Sequence, residues 1–153
     1  MIAETTIPQP PVESTRKTAA PRWLFASGAI VYAVSFALPA VTLTGTPGPT
    51  LSGWDCARFV TLFAVDLEHF NLPLFAGALI NPLALLFCIL RRHGVRPKLR
   101  RILAIAALAC IPMTWYVIGH EMKIGIGHIA WVAGLLMLLF PEAAGIVGRN
   151  GSR

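Results

Sequence analysis

Apolar residues run along this chain in four long, charge-free stretches. The first extends from Trp23 to Val41, and the others from Phe70 to Leu90, Ile102 to His120 and Ile124 to Pro141. At about 1.5 Å rise per residue, the first covers roughly 28 Å as a helix, close to the thickness of a hydrocarbon core. The pattern predicts an all-α integral membrane four-helix bundle. Its helices are expected at about 23–41, 70–91, 101–120 and 124–142, inside a domain of residues 22–148.

Between the first two runs the pattern changes twice. Residues 42–53 form a turn-rich strip, with Gly45, Pro47, Gly48, Pro49 and Gly53 set among threonines. Ser52 with Asp55 three positions later then resembles a capping box. From there Cys56, Phe59, Val60, Phe63, Leu67 and Phe70 recur on one helical arc, while Asp55, Arg58, Thr61, Asp66, Glu68 and His69 fall outside it. This segment is too short and too charged to span. It predicts an additional amphipathic outer-face helix over about 53–69, lying on the membrane surface or across the bundle mouth. Asn71 and Pro73 end it and restart the chain as the next membrane helix.

Composition strengthens the membrane reading. Hydrophobic residues make up 56% of the 153 positions and charged ones 13%, against about 25% charge in a soluble domain, which excludes one water-soluble core. The net charge of +6 matters through its distribution. Arg16, Lys17 and Arg22 precede the first run, Arg91, Arg92, Arg96, Lys98, Arg100 and Arg101 separate the second from the third, and Arg149 and Arg153 follow the fourth. Alternating the loops across a bilayer puts these eleven on one side and only Arg58 and Lys123 on the other. The positive-inside rule then places both termini in the cytoplasm, and the same residues need no nucleic acid to explain them.

The first run is longer than the apolar core of a signal peptide, and Pro39 stands where a cleavage site would be sought, so it is expected to be retained. Residues 1–21 carry four prolines among Thr, Ser and Glu, and residues 149–153 are polar; both read as cytoplasmic tails, the first one disordered. The three cysteines, Cys56, Cys88 and Cys110, fall at different depths, which argues against an internal disulfide or a redox pair.

Few polar groups lie within the apolar runs. Asn81 is central in the second, and Pro82 beside it frees the carbonyl of Ala78; Pro112 does the same for Leu108 in the third. Asn81, Pro82 and Pro112 read as a packing or polar site, with small residues at Ala33 and Ala37, Ala106 and Cys110, and Ala130 and Gly134 letting helices approach. Gly119, Gly125 and Gly127 mark a tight hairpin. The potential chemistry gathers at the outer end, where Asp66, Glu68, His69, His120, Glu121 and His128 combine imidazole with carboxylate, the ordinary ligands of zinc, copper or iron. A bis-histidine haem is a further form of that site. No nucleophile with a base and no phosphate-cradling loop occurs in the sequence.

Ser35-Phe36-Ala37-Leu38-Pro39-Ala40, then Gly53-Trp54, then Asn81-Pro82-Leu83 resemble a pattern in small four-helix bacterial membrane proteins of uncharacterised function. The resemblance runs from the start of the chain to about Leu90. It implies a bacterial inner-membrane protein and carries no catalytic residues with it. Three readings of function follow. The first is a non-enzymatic accessory or interaction subunit, without a cofactor, whose partners are lipid, another membrane protein or a second copy of itself. The second is a metal or haem protein using the outer His and carboxylate cluster, and the third is small-solute transport by an oligomer through the Asn81 region.

Overall fold

The computed structural model describes residues 22–44, 48–64, 71–119 and 122–146. The tails 1–21 and 149–153 lie outside them. The elements run α1 (Arg22–Ser35), β1 (Pro39–Leu43), β2 (Thr50–Ser52), α2 (Gly53–Ala64), α3 (Leu72–Arg92), α4 (Pro97–Ile118), β3 (Met122–Ile124) and α5 (Ile126–Ala143). Among the described residues three helices, within α3, α4 and α5, are long and apolar enough to cross a membrane. Four such helices were expected, and the difference lies in the first apolar run.

That run is cut by Pro39. Proline offers no N–H and pushes the preceding residue out of helical geometry. Helix α1 therefore stops after 14 residues, about 21 Å and short of a hydrocarbon core of about 30 Å. The chain turns through Phe36, Ala37 and Leu38, whose N–H groups donate to the carbonyls of Ala33, Val34 and Ser35 at 3.4, 3.0 and 3.3 Å. It then enters β1, where helix 23–41 was expected. An all-α fold was also expected; instead the short strands make a three-stranded antiparallel sheet in the order β2-β1-β3. Val41 pairs with Leu51 and with Ile124, and a bulge follows Pro39 on the β2 side.

Helix α2 begins as the sequence indicates. The Asp55 N–H donates to Ser52 Oγ at 3.2 Å, while the Ser52 N–H and hydroxyl donate to Asp55 Oδ2 at 3.1 and 2.6 Å. These bonds hold the Asp55 carboxyl below its ordinary pKa. Asn71 caps α3 by accepting from the Leu74 N–H at 3.3 Å, with Pro73 in the first turn. At the far ends of α3 and α5, Gly94 and Gly145 take positive φ, 65° and 69°. Val95 and Ile146 there donate back to Leu90 and Pro141, closing each helix with a Schellman motif. Helix α4 starts at Pro97, four residues before the expected 101, so the basic stretch 98–101 is helical and the α3–α4 turn is short.

Helix α3 packs along α4, α1 along α5, and α4 and α5 join the pairs. A core of Ile80, Ala84 and Phe87 from α3, Ala104, Ala107 and Ile111 from α4, and Leu135, Leu138 and Leu139 from α5 fills the half toward the arginine-rich end. Outward-facing Ile30, Leu85, Ile102 and Ile129 are each more than 60% exposed, the apolar exterior that a lipid environment favours. The expected small pair Ala33 and Ala37 also faces outward; the close α1–α5 approach instead uses Gly28 and Gly134.

A Cβ at Gly134 would stand 2.6 Å from the Tyr32 backbone nitrogen, whereas one at Gly77 would meet only Val60 Cγ1 at 3.4 Å and Thr114 Cγ2 at 3.6 Å. Gly134→Ala is therefore expected to lower stability by about 1–3 kcal/mol. Gly77→Ala should be neutral or stabilising by up to about 1 kcal/mol through helix propensity. Thermal unfolding of both variants in mild detergent checks this, and equal effects would contradict the packing described.

Candidate functional site

Asn81 projects from the third turn of α3 into the space between α1 and α5. Its Oδ1 accepts from the Tyr32 hydroxyl at 2.8 Å and from Trp131 Nε1 at 3.1 Å. An indole N–H only donates, so this bond fixes which end of the amide is oxygen. One polar atom thereby ties three helices together where little water is available to compete, and the packing role expected for Asn81 acquires its partners. No described residue accepts from the Asn81 amide nitrogen Nδ2.

Pro82 sits in the turn that follows Asn81, and the carbonyl-bearing residue it affects, Ala78, lines the same cavity as Asn81. Pro112 lies within α4 two residues before Thr114, whose hydroxyl donates to the Ile111 carbonyl at 2.7 Å.

Above Asn81 the end of the bundle is closed by the sheet and α2 rather than by a fourth spanning helix. A cavity of about 170 Å³ remains there. Its roof is Val41, Leu51 and the inner face of α2, its walls are Gly77, Ile118 and Gly127, and Asn81, Thr114, His128 and Trp131 supply polar atoms. Helix α2 contributes Cys56, Ala57, Phe59 and Val60 to the cavity lining and leaves Trp54 and Leu62 well exposed. It thus packs across the end of the bundle, one of the two placements expected for it, with Trp54 and Leu62 facing away. Burial pushes the Cys56 thiol above its ordinary pKa, and the neighbouring Asp55 carboxylate adds to that.

His128 stands at the edge of the cavity. Its Nε2 accepts from Trp115 Nε1 at 3.0 Å, and its ring lies 5.5 Å from that of Trp131 at 33°. A neutral imidazole accepting at Nε2 carries its proton on Nδ1, so Nε2 is engaged by Trp115 and Nδ1 is a donor. The other expected metal ligands, Asp66, Glu68, His69, His120 and Glu121, lie outside the described residues. Among the described residues no three His, Cys, Asp or Glu groups converge. The three cysteines are free.

Tyr32, Trp115 and Trp131 are the site residues that sequence reasoning missed. Each looks like an ordinary apolar aromatic within its run, and the bonds from Tyr32 and Trp131 to Asn81 span 49 and 50 residues. The one available signal was Asn81 itself, since a buried amide requires partners.

Loss of Asn81 orphans two donors, at about 1–3 kcal/mol each, while loss of one donor removes a single bond of about 0.6–1.7 kcal/mol. Asn81→Leu should therefore destabilise the protein more than Tyr32→Phe. Its cost should shrink in the Tyr32→Phe, Trp131→Phe background, and strict additivity in that unfolding cycle would contradict the shared bond.

No protein-family model matches the chain, and neither the curated proteins nor the solved structures contain a significant match to it.

Proposed function

We propose that the chain is a multi-pass membrane protein that binds one small apolar molecule bearing a hydrogen-bond acceptor, in the cavity beneath the sheet and α2. The observation that carries this reading is a cavity of about 170 Å³, apolar apart from a few groups, with the Asn81 amide at its base. An apolar cavity of about 150 Å³ holds benzene, so the space suits a ring-sized body. Asn81 Nδ2 is a donor at the base of the cavity able to meet a carbonyl on that body, because Oδ1 is held by Tyr32 and Trp131. This is a binding role rather than catalysis, in line with a non-enzymatic accessory protein.

The test compares 4-fluoroacetophenone with its hydrocarbon counterpart 4-fluoroethylbenzene, followed by fluorine NMR in mild detergent. Saturable binding is expected for both, with the ketone tighter by about twofold to tenfold, the worth of one hydrogen bond of about 0.5–1.5 kcal/mol. Ala78→Leu fills the cavity and should abolish both. Unsaturable partitioning, or binding that survives Ala78→Leu, would overturn the reading.

The same proposal includes orientation. The excess of Lys and Arg at the α3–α4 turn and in both tails favours an orientation with both termini in the cytoplasm and the sheet outside; that the membrane is a bacterial inner one is what the resemblance implies. Cys56 in intact cells should then react with an impermeant thiol reagent while Cys88 and Cys110 do not. Because burial raises its pKa, Cys56 should label more slowly at neutral pH than an exposed thiol and accelerate as the pH rises. Labelling of Cys56 only after lysis would reverse the orientation.

A further inference from the structure

Two guanidinium groups crowd one carboxylate at the end of the molecule opposite the sheet, and a third lies close by. Glu142, in the last turn of α5, is only 4% exposed. Arg100 Nη2 lies 3.1 Å from its Oε1, and Arg91 Nη1 lies 3.8 Å from Oε2, too far for a hydrogen bond. Arg91 also stacks its guanidinium 4.2 Å from the centre of the Phe25 ring. Arg101 Nε donates to the Ala143 carbonyl at 3.1 Å.

This arrangement exceeds what a topology signal needs. Exposed cations suffice for that purpose, and Arg92, Arg96 and Lys98 are exposed. The Arg91 and Arg100 side chains instead keep only 21% and 15% of their surface, and Arg100 Nε is buried without an acceptor. Two half-buried positive charges around one negative charge leave a partly desolvated surplus, to which exposed Arg101, bonded to the adjacent Ala143 carbonyl, adds a further charge; such a surplus is costly unless an anion completes it. Helix α4 sharpens the need: its first turn has no acidic residue and its N-cap makes no side-chain bond, so the positive end of its dipole adds to the surplus.

We propose that Arg91, Arg100 and Arg101 seat the phosphate of an anionic phospholipid, with Glu142 holding two of the three in position. Forked guanidinium donors match phosphate oxygens. A lipid phosphate fits better than a free one because the cluster lies where the apolar helices end, beside outward-facing Trp23, Ile102 and Phe140, each more than half exposed. Acyl chains would lie along those side chains while the headgroup meets the arginines.

The test uses the intact protein in mild detergent with mixed phosphatidylglycerol and phosphatidylcholine, and native mass spectrometry reads which lipid is retained. Preferential retention of phosphatidylglycerol is expected, undiminished by an equal concentration of inorganic phosphate. Arg101→Gln leaves both contacts to Glu142 in place and should lower the preference about fivefold, whereas Arg96→Gln in the exposed turn and Lys123→Gln at the opposite end should change it little. Equal retention of the two lipids, displacement by inorganic phosphate, or an Arg96→Gln loss as large as that of Arg101→Gln would each overturn the seat.

Discussion

The backbone from Phe36 to Leu43 leaves helical geometry among apolar side chains, so its carbonyls and N–H groups need partners from the protein itself. Ala40 and Val41 are each only 5% exposed. The partners come from the starts of later elements. Gly53 and Trp54, opening α2, donate to the carbonyls of Leu38 and Phe36 at 3.0 Å each, and Gly125, preceding α5, donates to Ala40 at 2.7 Å. The positions of α2 and α5 follow from this requirement. So does their glycine content, because backbones this close leave no room for a Cβ: at Gly53 it would fall 2.5 Å from the Ser35 carbonyl oxygen, and at Gly127 2.7 Å from that of Leu38.

The same constraint divides the molecule into two unlike halves. Below Asn81 the three long helices interdigitate through Phe87, Ile111 and Leu139 in one buried core, as close packing requires. Above it, a short sheet and α2 replace the continuation of α1, and strands joined edge to edge cannot fill the bundle interior as helical side chains do. The cavity is the consequence of that substitution. Its polar floor sits at the boundary, where the Asn81 amide closes the packed half and faces the open one.

What the sequence made legible was whatever depends on near neighbours. Long apolar runs located α3, α4 and α5, Ser52 and Asp55 announced the start of α2, and Asn71 with Pro73 announced α3. The glycines Gly125 and Gly127 are legible as hairpin residues, but what they pack against is Leu38 to Ala40 rather than their own hairpin. The strands were not legible, because a short apolar run such as Pro39–Leu43 has the same composition as the end of a buried helix. Its pairing with Met122–Ile124 joins segments about 80 residues apart, which local periodicity cannot register.

Glu142 illustrates a different blindness. As one carboxylate at the end of an apolar run, it passes for interfacial polarity, and six basic residues between 91 and 101 appear sufficient as a topology signal. Only the fold shows that α5 ends level with the α3–α4 turn, bringing that carboxylate against Arg91 and Arg100. The ion pairs then anchor the end of α5 whose beginning is anchored by Gly125 to β1. Helix α5 is thus held by backbone bonds at the sheet end, by Trp131 on Asn81 at mid-length and by charge at the other end. With its position fixed at three levels, it can serve as the common wall of the closed core and of the cavity above it.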